Sequence, residues 1–112
     1  MLGRTHRVHG RKSLNGVYRH GRTARTAAMS LRYSRRASDR PYRVAVVVSR
    51  KVSNSAVTRN RIRRRVYAAV RNSGDAVKPG TDLIFTVFND KLSEVPHDEL
   101  QATVTELLRK AA

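Results

Sequence analysis

Residues 53–71 read SNSAVTRNRIRRRVYAAVR, and this stretch decides what fold the chain can adopt. On a helical wheel of about 100° per residue, Val66, Ala69 and Val70 cluster beside Ile62. The opposite side of the same wheel carries Asn60, Arg64, Tyr67 and Arg71. The pattern predicts a helix that buries a narrow apolar stripe and exposes a face rich in arginine.

Both ends of this predicted helix are marked in the sequence. Ser53, Asn54 and Ser55 precede it, and any of them can accept a hydrogen bond from a free N–H group of the first turn. Gly74 follows it and suits a left-handed stop at the C-terminus.

The charge of the stretch has no internal compensation. It contains six arginines and no acidic residue: Arg59, Arg61, Arg63, Arg64, Arg65 and Arg71. Like charges at positions i and i+4 repel by a few tenths of a kcal/mol per pair in an isolated helix. We therefore expect a partner to supply the counter-charge, most simply a phosphate backbone. The alternative is a basic face that is only solvated.

The whole chain has 112 residues, of which 39% are hydrophobic, and this predicts one folded domain covering residues 1–112. Residues 1–11 read as a flexible basic arm. No stretch approaches the roughly 20 apolar residues of a membrane span, and no apolar run follows the basic N-terminus as it would in a secretory signal. The absence of cysteine is compatible with a reducing compartment, and we expect a cytoplasmic protein.

The positive charge is concentrated in one part of the chain. Residues 1–74 hold 20 Lys or Arg and one acid, whereas residues 75–112 hold 4 and 7. So uneven a charge distribution directs the protein to a polyanion. Arginine outnumbers lysine by 19 to 5, and its planar group binds phosphate through two hydrogen bonds.

Hydrophobic periodicity predicts the element order α-β-β-α-β-α. Around the arginine-rich helix we expect a helix at 12–20, strands at 27–33, 42–49 and 83–88, and a helix at 97–110. The strands at 27–33 and 42–49 should form an antiparallel hairpin. The strand at 83–88 follows a helix that follows a strand, and so should lie parallel to the strand at 42–49.

Residues that could form a catalytic or metal centre are not grouped in the sequence. His6, His9, His20 and His97 are scattered and lack a carboxylate or cysteine pattern nearby. No phosphate-binding glycine loop or nucleophile motif is present. We expect no catalytic residue, no metal ligand and no small-molecule substrate on the protein itself.

The arginine-rich helix carries a family resemblance. The runs SRKV at 49–52 and AVTRNRIRR at 56–64 resemble the signature of the protein subunit of bacterial ribonuclease P, whose core is an Arg-Asn-Arg motif, here residues 59–61. Leu14, Val17 and Tyr18, the PGTD turn at 79–82 and the last helix also resemble that family. Two positions depart from it. Leu14 replaces a usual aromatic residue, and Ala68 stands where many members have a glutamate.

The resemblance implies an α/β fold of the α+β sandwich type, with a small mixed sheet. It also implies a left-handed β-α-β crossover through the arginine-rich helix, against the usual right-handed preference.

The family's function gives each predicted site residue a role. The resemblance implies that the helix binds the catalytic RNA subunit through Arg59, Asn60, Arg61, Arg63 and Arg64, with Arg50 and Lys51 adjacent, and the charge pattern adds Arg65 and Arg71. A cleft between the first helix and the sheet would hold the single-stranded 5′ leader of precursor tRNA. The cleft candidates are Leu14, Tyr18, Met29, Leu31, Val46 and Val48. The Mg²⁺ ions that hydrolyse the phosphodiester would be held mainly by the RNA.

Two other functions fit the composition. A structural RNA-binding protein, such as a small ribosomal protein, would have the same size and charge. An architectural DNA-binding protein is the second alternative, although nothing in the sequence indicates a dimer or an arm that enters the minor groove. Neither alternative explains the Arg-Asn-Arg motif.

Overall fold

A four-stranded mixed sheet covered on one face by two helices forms the structure, a computed structural model that describes residues 21–35, 41–74 and 77–111. Its elements are β1 (Arg22–Arg25), β2 (Met29–Arg35), β3 (Arg43–Val47), α1 (Ala56–Asn72), β4 (Thr81–Val87), a 3₁₀ turn (Asp90–Ser93) and α2 (His97–Lys110). The basic arm, the helix predicted at 12–20, Leu14 and Tyr18 lie outside the described residues.

The strand order in the sheet is β1-β2-β4-β3. β2 pairs with β1 and with β4 in antiparallel fashion, and β3 pairs with β4 in parallel. The parallel pairing joined by α1 is therefore confirmed, whereas the left-handedness of this crossover stays a prediction. The mixed sheet with helices is the predicted α+β architecture.

The predicted hairpin between the second and third strands is wrong, because β4 lies between β2 and β3. β4 is the most deeply buried strand, with six of its seven residues buried. A strand buried on both faces is most stable in the interior of a sheet, where both of its edges are also paired. β1 was missed because it is a short, polar edge strand with Ala24 as its one buried residue.

The helix-covered face of the sheet contains the core. Each strand places alternate side chains there. The buried residues of this face include Met29, Leu31, Val44, Val46, Leu83, Phe85 and Val87. They pack in one cluster with the apolar stripes of α1 and α2. The core therefore lies between the sheet and the two helices, and only one face of each helix is used.

The buried stripe of α1 agrees with the predicted one and is wider. Ile62, Val66, Ala69 and Val70 are fully buried, as predicted. Tyr67 was placed on the exposed side but is also buried, so that prediction was wrong. Tyr67 follows Ile62 by five residues, and its large ring reaches the core from the margin of the stripe.

The predicted cap of α1 is confirmed at one end. The Ser55 side chain accepts a hydrogen bond of 3.2 Å from the backbone N–H of Thr58. The predicted left-handed stop at Gly74 is wrong, because the glycine with positive φ is Gly80, in the turn before β4. The N–H of Ser73 closes the helix instead, by bonding the carbonyls of Ala69 and Val70.

An ion pair fixes the start of the parallel strand pair. Arg43 on β3 donates two hydrogen bonds, of 2.9 and 2.8 Å, to the carboxylate of its strand partner Asp82 on β4. The Asp82 side chain is almost completely buried. These hydrogen bonds raise the pKa of Arg43. The two-bond geometry sets the register at this end of the sheet.

A polar bridge joins α1 to α2. The Gln101 side-chain amide donates to the backbone carbonyl of Ala69 at 2.9 Å and to the Ser73 hydroxyl at 2.6 Å. The Ser73 hydroxyl in turn lies 3.0 Å from that of Thr105. The bridge satisfies a carbonyl in the last turn of α1 and fixes how the two helices cross.

The depth of the α1 stripe generates a stability prediction. Ile62→Ala should lower the free energy of unfolding by about 2–4 kcal/mol, because it removes a fully buried side chain and leaves a cavity. Val57→Ala is the matched control on the same helix, where the side chain is 72% exposed, and should change stability by less than about 0.5 kcal/mol. Thermal and urea melts measure both. Equal melting temperatures for the two variants would show that the helix is oriented differently.

Candidate nucleic-acid interface

The outward face of α1 is the strongest basic surface among the described residues. Asn60, Arg61, Arg64 and Arg71 are exposed there, together with Val57. Among residues 21–35, 41–74 and 77–111, the ion pairs are Arg43–Asp82 and Lys110–Glu106, so no carboxylate of this part of the chain neutralises these three arginines. Their donors are available to an anionic partner.

The N-terminus of α1 adds to this positive field. Arg50 and Lys51 are exposed in the turn that leads from β3 towards the helix. The first turn of α1 contains no acidic residue, whereas the first turn of α2 contains Asp98 and Glu99. The positive end of the α1 dipole therefore points to solvent without an acidic neighbour, which favours binding of an anion there.

Two further predicted residues, Arg59 and Arg63, have structural bonds as well as exposed donors. Arg59 donates a 2.9 Å bond to the carbonyl of Ser53, and Arg63 donates a 2.6 Å bond to the side-chain oxygen of Asn60. Arg63 also reaches the carbonyl of Val48 at 3.4 Å. A guanidinium has five N–H donors, so these bonds orient both groups and leave donors for RNA.

Arg65 has a structural role in addition to the one predicted. Its guanidinium donates a 2.6 Å bond to the backbone carbonyl of Leu92 and a second bond to that of Val95. Arg65 is partly buried, and it ties α1 to the 3₁₀ turn and the segment before α2. Its contact with RNA stays a prediction, and the bonds to two carbonyls make it the arginine of α1 with the clearest structural role.

At Arg71 the basic face meets a tyrosine. Tyr42 is half-buried just before β3, and its burial raises its pKa, with the positive charge of Arg71 opposing part of the rise. Arg71 itself is exposed at the end of α1. The basic face thus extends from the turn at residues 50–52 along the whole helix.

The four cleft candidates on the strands do not line an open surface. Met29 and Leu31 are 0% exposed, and Val46 and Val48 are 7% and 4% exposed. All four belong to the core between the sheet and the helices, so their placement in a cleft was wrong. Alternation shows which side chains share a face, but it cannot show which face the helices cover.

The second face of the sheet is the one turned away from α1 and α2. It includes Ser30 and Arg32 on β2, Val47 on β3 and Thr86 on β4, none of which is fully buried. Ala45 on β3 and Ile84 on β4 lie on the same face and are buried. Arg32 donates a 2.9 Å bond to the Thr23 hydroxyl on β1. Sequence reasoning did not select these residues for a site, although Ser30 and Arg32 are the polar positions of the same alternation that identified Met29 and Leu31.

The part of the chain that the structure describes contains neither a cluster of metal-binding side chains nor a helix that could span a membrane. No three His, Asp or Glu side chains of residues 21–35, 41–74 and 77–111 are close enough together to hold a metal ion. Neither α1 nor α2 is long and apolar enough to cross a bilayer.

Residues 2–112 match the family model described as Ribonuclease P. The chain belongs to the ribonuclease P protein family. A ribonuclease P protein component from Synechococcus elongatus is 40% identical over 89 residues, covering 77% of this chain and 73% of that protein. The component from Chloroflexus aurantiacus is 36% identical over 110 residues, covering 98% and 80%.

A solved ribonuclease P protein from Thermotoga maritima has the same fold, with a TM-score of 0.82 at 19% identity, covering 93% of this chain and 96% of that one. These matches confirm the predicted family and its α+β fold. The chain is a bacterial ribonuclease P protein subunit, so the prediction that it binds RNA and takes part in tRNA processing is confirmed. Which of its residues contact RNA stays a prediction.

The division among the arginines of α1 generates a second prediction. Arg61→Ala and Arg64→Ala should weaken RNA binding and lower the slope of log Kd against log salt by about one each, with no change in melting temperature. Arg65→Ala should instead lower the free energy of unfolding by about 1–3 kcal/mol, because the Leu92 and Val95 carbonyls lose a charged donor.

Salt-dependent binding titrations and thermal melts on the same three variants measure this division. The three variants remove the same charge from the same helix, so each controls for the others. If the melting temperature falls for Arg61→Ala and is unchanged for Arg65→Ala, then Arg61 has the structural role and Arg65 does not, contrary to the contacts of the two residues.

Proposed function

We propose that this chain is an accessory subunit whose arginine face on α1 binds the catalytic RNA of ribonuclease P, and which thereby assists removal of the 5′ leader from precursor tRNA. Arg61, Arg64 and Arg71 lie exposed on one helix face without a carboxylate partner in the described part of the chain, and this observation supports the proposal most directly. Family membership makes RNA the polyanion concerned.

The binding chemistry follows from the guanidinium groups. Each exposed arginine can form two parallel hydrogen bonds with a phosphate and displaces counterions from the RNA when it does so. Arg59 and Arg63 are oriented by bonds to Ser53 and Asn60, so less side-chain entropy is lost when their remaining donors meet RNA. The helix face thus acts as a partly preorganised docking surface.

Bond cleavage is assigned to the RNA in this proposal. Among the described residues, no three carboxylates or histidines lie close enough together to hold Mg²⁺. The contribution of the protein is positive charge and positioning: it lowers the repulsion between two RNAs and holds the substrate in register.

We place the leader on the second face of the sheet, in place of the buried residues predicted earlier. Ser30 and Thr86 offer hydroxyl groups, Arg32 a positive charge and Val47 an apolar surface that is 36% exposed. Single-stranded nucleic acid is bound by such mixtures of positive charge and flat apolar groups. Tyr18, predicted to stack on a base, stays a candidate for the same site.

Reconstitution tests the main proposal. The full chain, mixed with a bacterial ribonuclease P RNA at low Mg²⁺, should raise the rate of precursor-tRNA cleavage at the leader junction above that of the RNA alone. The double variant Arg61→Ala/Arg64→Ala should need a higher protein concentration for the same rate. A small basic protein of similar charge is the control for unspecific screening. Equal stimulation by that control would remove the case for a specific subunit.

A substitution on the second sheet face tests the leader site. Val47→Asp should weaken holoenzyme binding to precursor tRNA about fivefold, which corresponds to the roughly 1 kcal/mol of repulsion between two charges in water at about 4 Å. Val47→Asn is the matched neutral control and should bind much more tightly than the Asp variant. Binding of mature tRNA, which lacks the leader, should be the same for both. Equal affinities of the two variants for precursor tRNA would move the leader elsewhere.

A further inference from the structure

A basic pocket lies at the end of the sheet where β2 ends and β1 and β4 begin. It has a volume of about 460 Å³ and is lined by Arg22, Tyr33, Ser34, Arg35, Lys78, Thr81 and Ala111. Three of these residues are positively charged, three carry hydroxyl groups and none is acidic. The size lies in the range of about 300–1,000 Å³ that is typical of ligand sites, and exceeds what a single small anion would fill.

The strand register brings these residues together. Arg22 on β1 is directly opposite Tyr33 on β2, and Arg35 on β2 is directly opposite Thr81 on β4. Tyr33 and Arg35 are two residues apart, so all four side chains project from the same sheet face. This is the helix-covered face, and the pocket opens where α2 ends: the Tyr33 hydroxyl donates to the carbonyl of Lys110 at 3.4 Å.

A tight turn positions Lys78, the third cation of the pocket. Lys78 and Thr81 flank Pro79 and Gly80, and Gly80 has φ of 81°. Proline followed by a glycine with positive φ is the pattern of a type II turn, which few other residue pairs can form. The turn holds Lys78 beside Arg35 at the start of β4, so the cations of the pocket come from three rigid segments.

The charges of the pocket are free to bind a ligand. Arg22, Arg35 and Lys78 are exposed. Each ion pair within residues 21–35, 41–74 and 77–111 involves other residues. Three cations that converge without a counter-charge repel one another, and an anion between them would relieve this repulsion.

The pocket is a separate site from the arginine face. α1 lies beside β3, to which Arg63 is bonded through the Val48 carbonyl just after the strand, whereas the pocket is built on β1, β2 and the start of β4. Strands are about 4.8 Å apart, so β1 is about 14 Å from β3 across the sheet, whereas the start of β4 is one strand away from β3. The two surfaces share no residue, and Arg22 on β1 is the pocket cation on the edge strand away from β3.

We propose that this pocket binds a phosphodiester segment of RNA and forms a second contact, through residues other than those of the arginine face on α1. The inference rests on the proposed function, since it takes the polyanion to be RNA. The segment comes either from the catalytic RNA or from precursor tRNA, and both offer the same chemistry. Lys78 and Arg35 pair with phosphate oxygens, and the Thr81 and Tyr33 hydroxyls line the space for the sugar.

The test compares two double variants of the full chain. Arg35→Ala/Lys78→Ala removes two charges from the pocket, and Lys91→Ala/Arg109→Ala removes two charges from exposed positions outside it. Binding to the catalytic RNA and binding to precursor tRNA by the holoenzyme are titrated separately over a range of salt. The slope of log Kd against log salt should fall by about two for the pocket variant with one of the RNAs, and the RNA that shows the loss is the source of the segment.

Three controls keep the outcomes apart. Thermal melts should be alike for both double variants, and Lys78→Gln, in the turn outside the strands, should lower the slope by about one without touching the sheet. If the unaltered chain binds both RNAs and the two double variants give equal salt slopes in both titrations, the pocket assignment is overturned and the proposed function is not. Failure of the unaltered chain to bind either RNA would contradict the proposed function and the pocket together.

Discussion

Burial of β4 on both faces and along both edges is the constraint on which the rest of the fold depends. A strand with almost no exposed side chain must lie inside the sheet, so β2 and β3 take its two sides and cannot pair with each other. Because β3 and β4 are parallel, the chain must return through a crossover, and α1 is that crossover. The position of the arginine-rich helix against the edge strand β3 therefore follows from the pairing demands of one strand.

The crossover has consequences for the charges that it carries. α1 buries one stripe against the sheet and α2, which leaves the margins of the helix in contact with neighbouring backbone and its outer face open. Arg65 falls at a margin and satisfies two carbonyls, whereas Arg61 and Arg64 fall on the outer face and meet solvent. Identical side chains on one helix thus separate into a group bonded within the protein and an exposed group by a rotation of less than half a turn.

The two helices differ in whether charged side chains at their ends complement the helix dipole. α2 has Asp98 and Glu99 at its positive end and Arg109 and Lys110 at its negative end, and so it is electrostatically complete by itself. α1 has no acid in its first turn and leaves its arginines without carboxylates in the described part of the chain. In a protein of net charge +16, the charged side chains of α2 thus complement the dipole of that helix, whereas the positive charge of α1 is not complemented by acidic residues of the described part of the chain.

The sequence by itself determined α1, α2 and three of the four strands, together with the family and the basic helix face. Ile62 and Val66 lie at helical spacing, and Met29 and Leu31 at strand spacing. Because an element that is buried on one side repeats its apolar residues with a fixed period, this spacing can be recognised without any tertiary contact. The Arg-Asn-Arg motif could be recognised from the sequence because its three residues are adjacent in the chain and lie in one helix.

Only the tertiary structure decided which strands are neighbours, which sheet face α1 and α2 cover and which arginines are already bonded. Strand pairing depends on competition among distant segments for the centre of the sheet. The local spacing of apolar residues does not indicate which segment will occupy it. The role of Arg65 depends on the Leu92 carbonyl, which is far away in the chain and is brought close by the packing of the 3₁₀ turn. The pocket around Arg35 and Lys78 arises in the same way, because strand register and one glycine turn bring together charges that are scattered in the sequence.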